Sequence, residues 1–387
     1  MSDRAVPGIA EVGRGRAAGS ALEVLWVATK LGLTSFGGPI AHLGYFHDEY
    51  VHRRKWIDEH SYADLVALCQ FAPGPTSSKV GFSLGLLRAG YLGGLAAWAG
   101  FTLPSAVALL LFAYGAAALS GPVGTGLLHG LKLVAVAIVA QAVWGMARTL
   151  CPDRERASIG GGAALIVLLS TSAFSQLGAI LFGAVTGAWL CRQAGLVYAE
   201  HAPIKVSPRV GVAALAAFFG LLIGLPLLRG LTGSQAIAMM DAFYRSGALV
   251  FGGGHVVLPL LREAVVAPGW VGDDAFLAGY GAAQAVPGPL FTFAAYLGAV
   301  MKPAPNGVLG GALGLVTVFL PGILLHLGTL PFWESFRRRA GTQAVMRGIN
   351  AAVVGLLGAA LYSPIWTSAV QGPQDFAVAL VGFILLV

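Results

Sequence analysis

The chain has 387 residues, 57% of them hydrophobic and 11% charged, whereas a soluble domain carries about 25% charged residues. That balance excludes an ordinary water-soluble protein and predicts an all-α polytopic membrane protein. The net charge of +7 sits mainly in short loops, where it sets orientation and is no nucleic-acid footprint.

The first 20 residues are polar, Gly-rich and basic with no apolar h-region, so no cleavable signal peptide is expected. Segment 22–45 holds Lys30 and then a break at Phe36-Gly37-Gly38-Pro39, with His42 just beyond. The loop HDEYVHRRKWIDEH (47–60) follows; its acids Asp48, Glu49, Asp58 and Glu59 read as a solvated face pairing with Arg53 and Arg54. Segment 62–87 carries Gln70 and Pro73-Gly74-Pro75, followed by Thr76-Ser77-Ser78-Lys79. Apolar runs at 91–119, 131–150 and 211–228 are each near the roughly 20 residues a spanning helix needs. Lys132, near a helix start, reads as interfacial. Segment 235–260 holds Arg245 and a second break, Phe251-Gly252-Gly253-Gly254, then His255. Segment 276–300 carries Gln284 and Pro287-Gly288-Pro289, followed by Leu290-Phe291-Thr292. Asp64 and Asp241 each border an apolar run, and Trp26, Trp98 and Trp333 read as belt or packing residues. Cys69, Cys151 and Cys191 have no paired or metal-type spacing, so no disulfide, metal site or cofactor is predicted.

The order of these features repeats. Gln70 and Pro73-Gly74-Pro75 fall on Gln284 and Pro287-Gly288-Pro289 at an offset of 214, and Phe36-Gly37-Gly38 falls on Phe251-Gly252-Gly253 at 215. Lys30 falls on Arg245 at 215, Leu103-Pro104 on Leu320-Pro321 at 217, and Gly130 on Gly348 at 218. Five ordered matches with a slowly drifting offset predict two copies of one unit. The expected division is a polar tail at 1–20, a first repeat at 21–192, a linker with a connecting helix at 193–234, and a second repeat at 235–387. Loop charges reverse between the copies. The basic loop 47–60 matches the acidic 262–274, uncharged 120–126 matches WESFRRRAG (333–341), and basic 151–158 matches 362–373, which lacks Lys and Arg. Basic short loops stay cytoplasmic, so the copies are expected to be inverted, a transporter architecture with its site near the midplane. Residues 157–192 have a counterpart only as far as Val387, so either the chain is cut short or the second copy lacks its last hairpin.

Parity then requires 62–87 to enter and leave on one side, as a re-entrant hairpin broken at Pro73-Gly74-Pro75, and the same for 276–300. A proline-kinked spanning helix is the alternative. Broken backbone at depth is tolerated only where protein or a cavity surrounds it. A helix starting at Thr76 presents unpaired N–H groups and positive dipole, which is an anion site. Thr76, Ser77 and Ser78 add hydroxyl donors and Lys79 adds charge; the second copy has no such lysine. Capping by Thr76 and Ser77, with Lys79 snorkelling, fits the same residues. Lys30 and Arg245 are intramembrane cations that face one anion across a pseudo-two-fold axis, or snorkel to headgroups. His42 and His255 are the candidates for carrying coupling protons, although His255 falls on Ile40 in the repeat. No HExxH, GxSxG or Walker lysine is present, so neither an enzyme nor an ATPase is predicted.

The FGGP-x-AH stretch (Phe36 to Pro39, then Ala41-His42), the loop from His47 to Trp56, QFxPGP (Gln70 to Pro75) and the second-half FGGG and QAxPGP motifs resemble the chromate ion transporter family. The likeness covers about residues 20 to 387. It implies a bacterial or archaeal inner-membrane protein that expels chromate and confers resistance, driven by membrane potential or a proton gradient, with sulfate as the look-alike anion. It places family motif positions at Phe36, Gly37, Gly38, Pro39, His42, Gln70, Pro73, Gly74 and Pro75, and at Phe251, Gly252, Gly253, Gln284, Pro287, Gly288 and Pro289. Partners are then a chromate or sulfate oxyanion and membrane lipid, with homo-oligomerisation left open. A carrier for another small anion, such as an organic acid, and a membrane enzyme or lipid-handling protein are the competing readings.

Overall fold

The computed structural model describes residues 19–36, 38–58, 61–62, 65–66, 68–69, 73–118, 122–170, 175–192, 206–250, 256–332 and 340–387. Gly37, Gln70, Gly252, Gly253 and His255 lie outside the described residues, as do Asp64, Glu59, Phe251 and Trp333. The described residues are helical, with no strand among them. Among the described residues, five helices are long and apolar enough to cross a membrane, within 76–115, 132–150, 208–232, 307–332 and 341–363. The chain is an all-α polytopic membrane protein.

Helix α1 (Ala21–Thr34) begins at Ser20, whose Oγ accepts from the Glu23 N–H at 3.1 Å, satisfying one of the donors that every helix start leaves open. It buries Val24, Val27, Ala28 and Leu31 and leaves Leu22 and Trp26 exposed, the pattern of a helix with one face to lipid. Helix α2 (Gly38–Phe46) leads into a π-helical turn at His47–Arg53. Residues 61–62, 65–66 and 68–69 are helical, and helix α3 (Thr76–Ala118) starts immediately after the Pro73-Gly74-Pro75 break.

Helix α3 is itself two helices. Ala89 (φ −142°) and Gly90 (φ 64°, ψ −158°) are non-helical, and the chain folds back there: Gly85 packs on Gly93, and the Phe82 ring on Gly94. The first arm, 76–88, spans roughly 20 Å, short of the roughly 30 Å hydrocarbon core. Cys69 lies against Ser83 and Lys79, so the helical residues before the break run alongside the arm after it. The described helical residues within 61–69 and the arm 76–88 therefore pair as a helical hairpin about Pro73-Gly74-Pro75.

Helices α4 (Pro122–Leu150), α5 (Arg154–Leu169) and α6 (Ser175–Leu190) follow, and α7 (Pro208–Thr232) and α8 (Gln235–Ala248) come next. Helices α9 (Val257–Val265) and α10 (Asp273–Ala285) lead to a second break at 286–289, a 3-10 turn at Leu290–Thr292 and α11 (Phe293–Val300). Tyr296 hydroxyl donates to Ala275 carbonyl at 3.0 Å, and the Phe276 and Phe293 rings meet at 5.0 Å. Helices α10 and α11 are therefore the arms of a second hairpin. The spans α12 (Gly307–Thr329) and α13 (Ala340–Ala360) and the shorter α14 (Pro373–Leu386) complete the chain.

The matched sequence positions occupy matched places. Gly74 and Gly288 have φ 100° and 99°, a left-handed backbone that side chains rarely adopt. The N–H of Gly74 donates to Val250 carbonyl at 2.7 Å, and that of Gly288 to Ser35 carbonyl at 2.9 Å; Ser35 and Val250 are themselves 215 apart. Gly74 lies against Gly322, and Gly288 against Ser105, again an offset of 217. Gly85 on Gly93 is answered by Gly298 on Gly310, and Gly32 on Gly100 by Gly247 on Val318. Each hairpin tip is thus pinned to the other half of the chain by a buried backbone hydrogen bond. The drift in offset has a location: the tight reversal at Ala89–Gly90 becomes the longer 301–306 connection in the second half. Elsewhere, α13 packs on α5 and α6 through Gly160 with Gly355 and Gly183 and Gly187 with Gly348, the close approach that small residues permit in lipid.

Candidate functional site

The first tip opens a helix into protein, not into solvent. Thr76, Ser77, Ser78 and Lys79 are all buried, Lys79 at 1% exposure. Lys79 Nζ donates to Pro73 carbonyl at 3.0 Å, so the lysine folds back over the break that starts its own helix. One turn further on the same face is Ser83, whose Oγ lies 2.6 Å from His326 Nε2 of α12. On the other side of the arm, Ser77 Oγ lies 3.3 Å from His42 Nδ1, and the His42 ring packs edge-on to Phe101 at 5.3 Å.

Several of these groups are buried with an unused polar atom. Ser78 Oγ, His42 Nε2, His326 Nδ1, Ser35 Oγ and Thr102 Oγ1 have no hydrogen-bond partner among the described residues. Leaving a buried polar atom unpaired costs about 1–3 kcal/mol, and such groups are uncommon. Ser78, next to Lys79 in the chain, and His326, close to Lys79 from α12, set unused polar atoms near a buried ammonium and a helix N-terminus, an arrangement suited to an anion with many acceptor lone pairs. Ser35 and Thr102 lie instead by the second tip, where the Ser35 carbonyl holds Gly288 and the Thr102 carbonyl holds the Ser105 hydroxyl. Among the described residues, no group of three or more His, Cys, Asp or Glu is placed to hold a metal.

The other predicted positions divide. Pro73, Gly74 and Pro75 form the first tip, and Gly38 (φ 78°) starts α2. Phe36 is half exposed. Pro287, Gly288 and Pro289 form the second tip, while Gln284 bonds Tyr280 in the second hairpin. Lys30 and Arg245 are not brought together around one point. Lys30 Nζ lies 3.4 Å from Glu49. Arg245 clasps Asp241 at 2.6 and 3.0 Å, with Arg229 at 3.6 Å from the same carboxylate. Each cation has its own carboxylate, in two clusters with no shared member.

Glu49 also departs from the solvated loop face predicted for it. It is 5% exposed and binds Arg53 at 3.1 Å and Arg54 at 2.7 Å. Burial raises its carboxyl, and Arg54, Lys30 and Arg53 outweigh that, holding it below the usual carboxylate range. A polar cavity of about 500 Å³ lies here, lined by Glu23, Lys30, Glu49, Arg53, Arg54, Trp56 and Arg88. A second cavity of about 260 Å³, between α7, α8 and α12, is lined by apolar side chains and Thr317; it suits hydrocarbon, not an anion. Trp98 packs on Phe319 at 5.7 Å, a packing role. Lys132 pairs with Asp274, which ties α4 to the start of α10.

Sequence reasoning missed His326, Ser83, Thr102 and Ser105. His326 had one available signal, an ionisable side chain inside a long apolar span.

The family model described as "Chromate transporter" matches residues 22–188 and 237–387. The chain is 29% identical over 343 residues to the chromate transport protein of Pseudomonas aeruginosa, covering 85% of this chain and 77% of that one. It is 26% identical over 343 residues to the chromate transport protein of Cupriavidus metallidurans, covering 86% and 79%. It is 25% identical over 346 residues to an uncharacterized transporter of the archaeon Methanocaldococcus jannaschii, covering 87% and 83%. No solved structure matches. The two matched segments take in both hairpins, both tips and His326, and the chain is a multi-pass protein of the bacterial or archaeal cytoplasmic membrane. The chain belongs to the chromate transporter family, and its role is in chromate transport.

Proposed function

We propose that the protein exports chromate from the cytoplasm, binding the dianion at the tip of the first hairpin. The observation that carries this reading is the buried Lys79 with Ser78 next to it in the chain and His326 close by, and with His42 at Ser77 across the arm; Ser78, His42 and His326 each have a buried polar atom with no partner among the described residues. In this reading the two hairpins are re-entrant and belong to inverted copies, at 21–192 and 235–387, with 193–234 linking them. The reciprocal bonds of Gly74 and Gly288 to the opposite half are what a two-fold axis in the membrane plane predicts. Ser77, Ser78 and the first N–H groups of α3 hold oxygens of the tetrahedral anion, and Lys79 neutralises charge. Moving two negative charges outward is worth roughly 4.6 kcal/mol per 100 mV of inside-negative potential, so uniport suffices and proton antiport through His42 adds to it. Lys30 and Arg245 serve as cations at the ends of the pathway. Sulfate has the same charge and nearly the same shape, and competes. Export by this route confers chromate resistance.

The test is chromate uptake into inside-out vesicles with and without an imposed positive-inside potential. Potential-driven uptake that sulfate inhibits is the expected result. Uptake indifferent to potential contradicts the electrogenic mechanism, and no uptake above empty vesicles contradicts export by this chain.

A further inference from the structure

His326 belongs to α12 in the second half of the chain, yet its hydrogen bond is to the first hairpin. It is fully buried, with Nε2 at 2.6 Å from Ser83 Oγ and Nδ1 without a partner among the described residues. Among the described residues, the charged or titratable groups near it are Lys79 and, beyond Lys79, Cys69, both on the first hairpin. At the offset that relates the two halves its counterpart is Leu109, so this histidine is no part of the repeated framework. Packing does not require it either, since a leucine fills the matched position.

We infer that His326 Nδ1 is a direct ligand of the transported oxyanion, contributed by the second half to a cage otherwise built by the first. The inference rests on the reading of the first tip as the anion site. Its chemistry follows from the Ser83 pairing. A neutral imidazole has one N–H and one lone pair. When the Ser83 hydroxyl donates to Nε2, the ring proton sits on Nδ1, and Nδ1–H is the donor. When Ser83 accepts from Nε2–H, Nδ1 carries a lone pair that repels an anion. A chromate or sulfate oxygen only accepts, so the bound anion selects the first tautomer. The Ser83 hydroxyl rotates to suit, and no net charge on the ring is needed. The occupied site then spans both halves: the anion bridges Lys79 of the first hairpin and His326 of α12, and binding draws these two elements together.

The test uses equilibrium binding of radiolabelled chromate, and separately sulfate, to the purified full chain in lipid nanodiscs. An asparagine amide nitrogen stands where Nδ1 stands, while a glutamine amide reaches the Nε2 position. His326→Asn is expected to hold affinity within about three-fold, and His326→Gln and His326→Leu to lose roughly ten-fold or more, the value of one hydrogen bond to a charged partner. Thermal unfolding of each variant checks the fold, and the Asn–Gln contrast stands even if the Leu variant fails to fold. Binding by His326→Gln equal to wild type, or loss in His326→Asn equal to that in His326→Gln, overturns the inference and leaves the hairpin site standing. Absence of binding by the wild type overturns both.

Discussion

The two hairpin tips share a backbone and differ in what they hold. Both are Pro-Gly-Pro, both place the glycine near φ 100°, and both donate that glycine's N–H across to the opposite half. After the first tip come Thr76, Ser77, Ser78 and Lys79, buried and polar. After the second come Leu290, Phe291, Thr292 and Phe293, equally buried. Phe291 stacks toward Phe319 at 5.4 Å, and Thr292 spends its hydroxyl on Pro289 carbonyl at 2.7 Å. At the offset of 214, Lys79 falls on Phe293. The backbone arrangement is thus present twice, while a buried lysine follows only the first tip. In the proposed reading that difference decides which tip holds the anion.

The largest expected effect is on Lys79. Lys79→Gln keeps a donor for Pro73 carbonyl but removes the charge, and chromate transport in vesicles should fall about 100-fold or more. Phe293→Leu, at the matched place, should cost about 1.5 kcal/mol or less of stability and leave transport within two-fold.

The tip glycines come next. A Cβ on Gly74 would stand 2.9 Å from the Gly322 backbone, whereas one on Gly288 would stand 2.7 Å from Ser105 Oγ, the end of a side chain. Both also meet the left-handed backbone penalty of roughly 1–2 kcal/mol. Gly74→Ala should therefore lower the unfolding midpoint more than Gly288→Ala, and Ser105→Ala should recover part of the loss at Gly288 but none at Gly74.

The ion-pair clusters offer a smaller contrast. Glu49→Gln leaves Lys30, Arg53 and Arg54 without their shared carboxylate and should cost about 2 kcal/mol at neutral pH. Because the folded carboxyl is depressed, the stability it contributes is present above the ordinary carboxylate range. It is lost as pH falls through the lower folded value. The difference in unfolding temperature between wild type and Glu49→Gln should therefore shrink on acidification below about pH 4.

The smallest effect separates the hydroxyls. Thr292→Val removes one local hydrogen bond, worth about 1 kcal/mol, with chromate affinity unchanged. Ser78→Ala, which removes an Oγ with no partner among the described residues, should instead leave stability unchanged or slightly raised and weaken chromate binding several-fold.

Much of this was legible in the chain because proline and glycine act locally. Pro73-Gly74-Pro75 and Pro287-Gly288-Pro289 break a helix wherever they stand, so both tips could be placed from sequence. The reversal at Ala89–Gly90 falls between the segments read as 62–87 and 91–119. The partners of charged residues were not legible. Glu49 reads as one acid among four in a polar loop, and only the fold brings Lys30 to it from 19 residues away. Asp241 lies one helical turn before Arg245, a spacing that is visible, but Arg229 reaches it from the preceding helix. His326 offers only its place inside an apolar span: it has no motif, its matched position is a leucine, and its partner Ser83 lies 243 residues away.

The most direct test of a single site at the first tip is equilibrium chromate binding to purified wild type, Lys79→Gln and Phe293→Leu. The account predicts saturable binding in the wild type at one site per chain, its loss in Lys79→Gln, and its retention in Phe293→Leu. Unchanged binding in Lys79→Gln, or loss in Phe293→Leu with the fold intact, would contradict it.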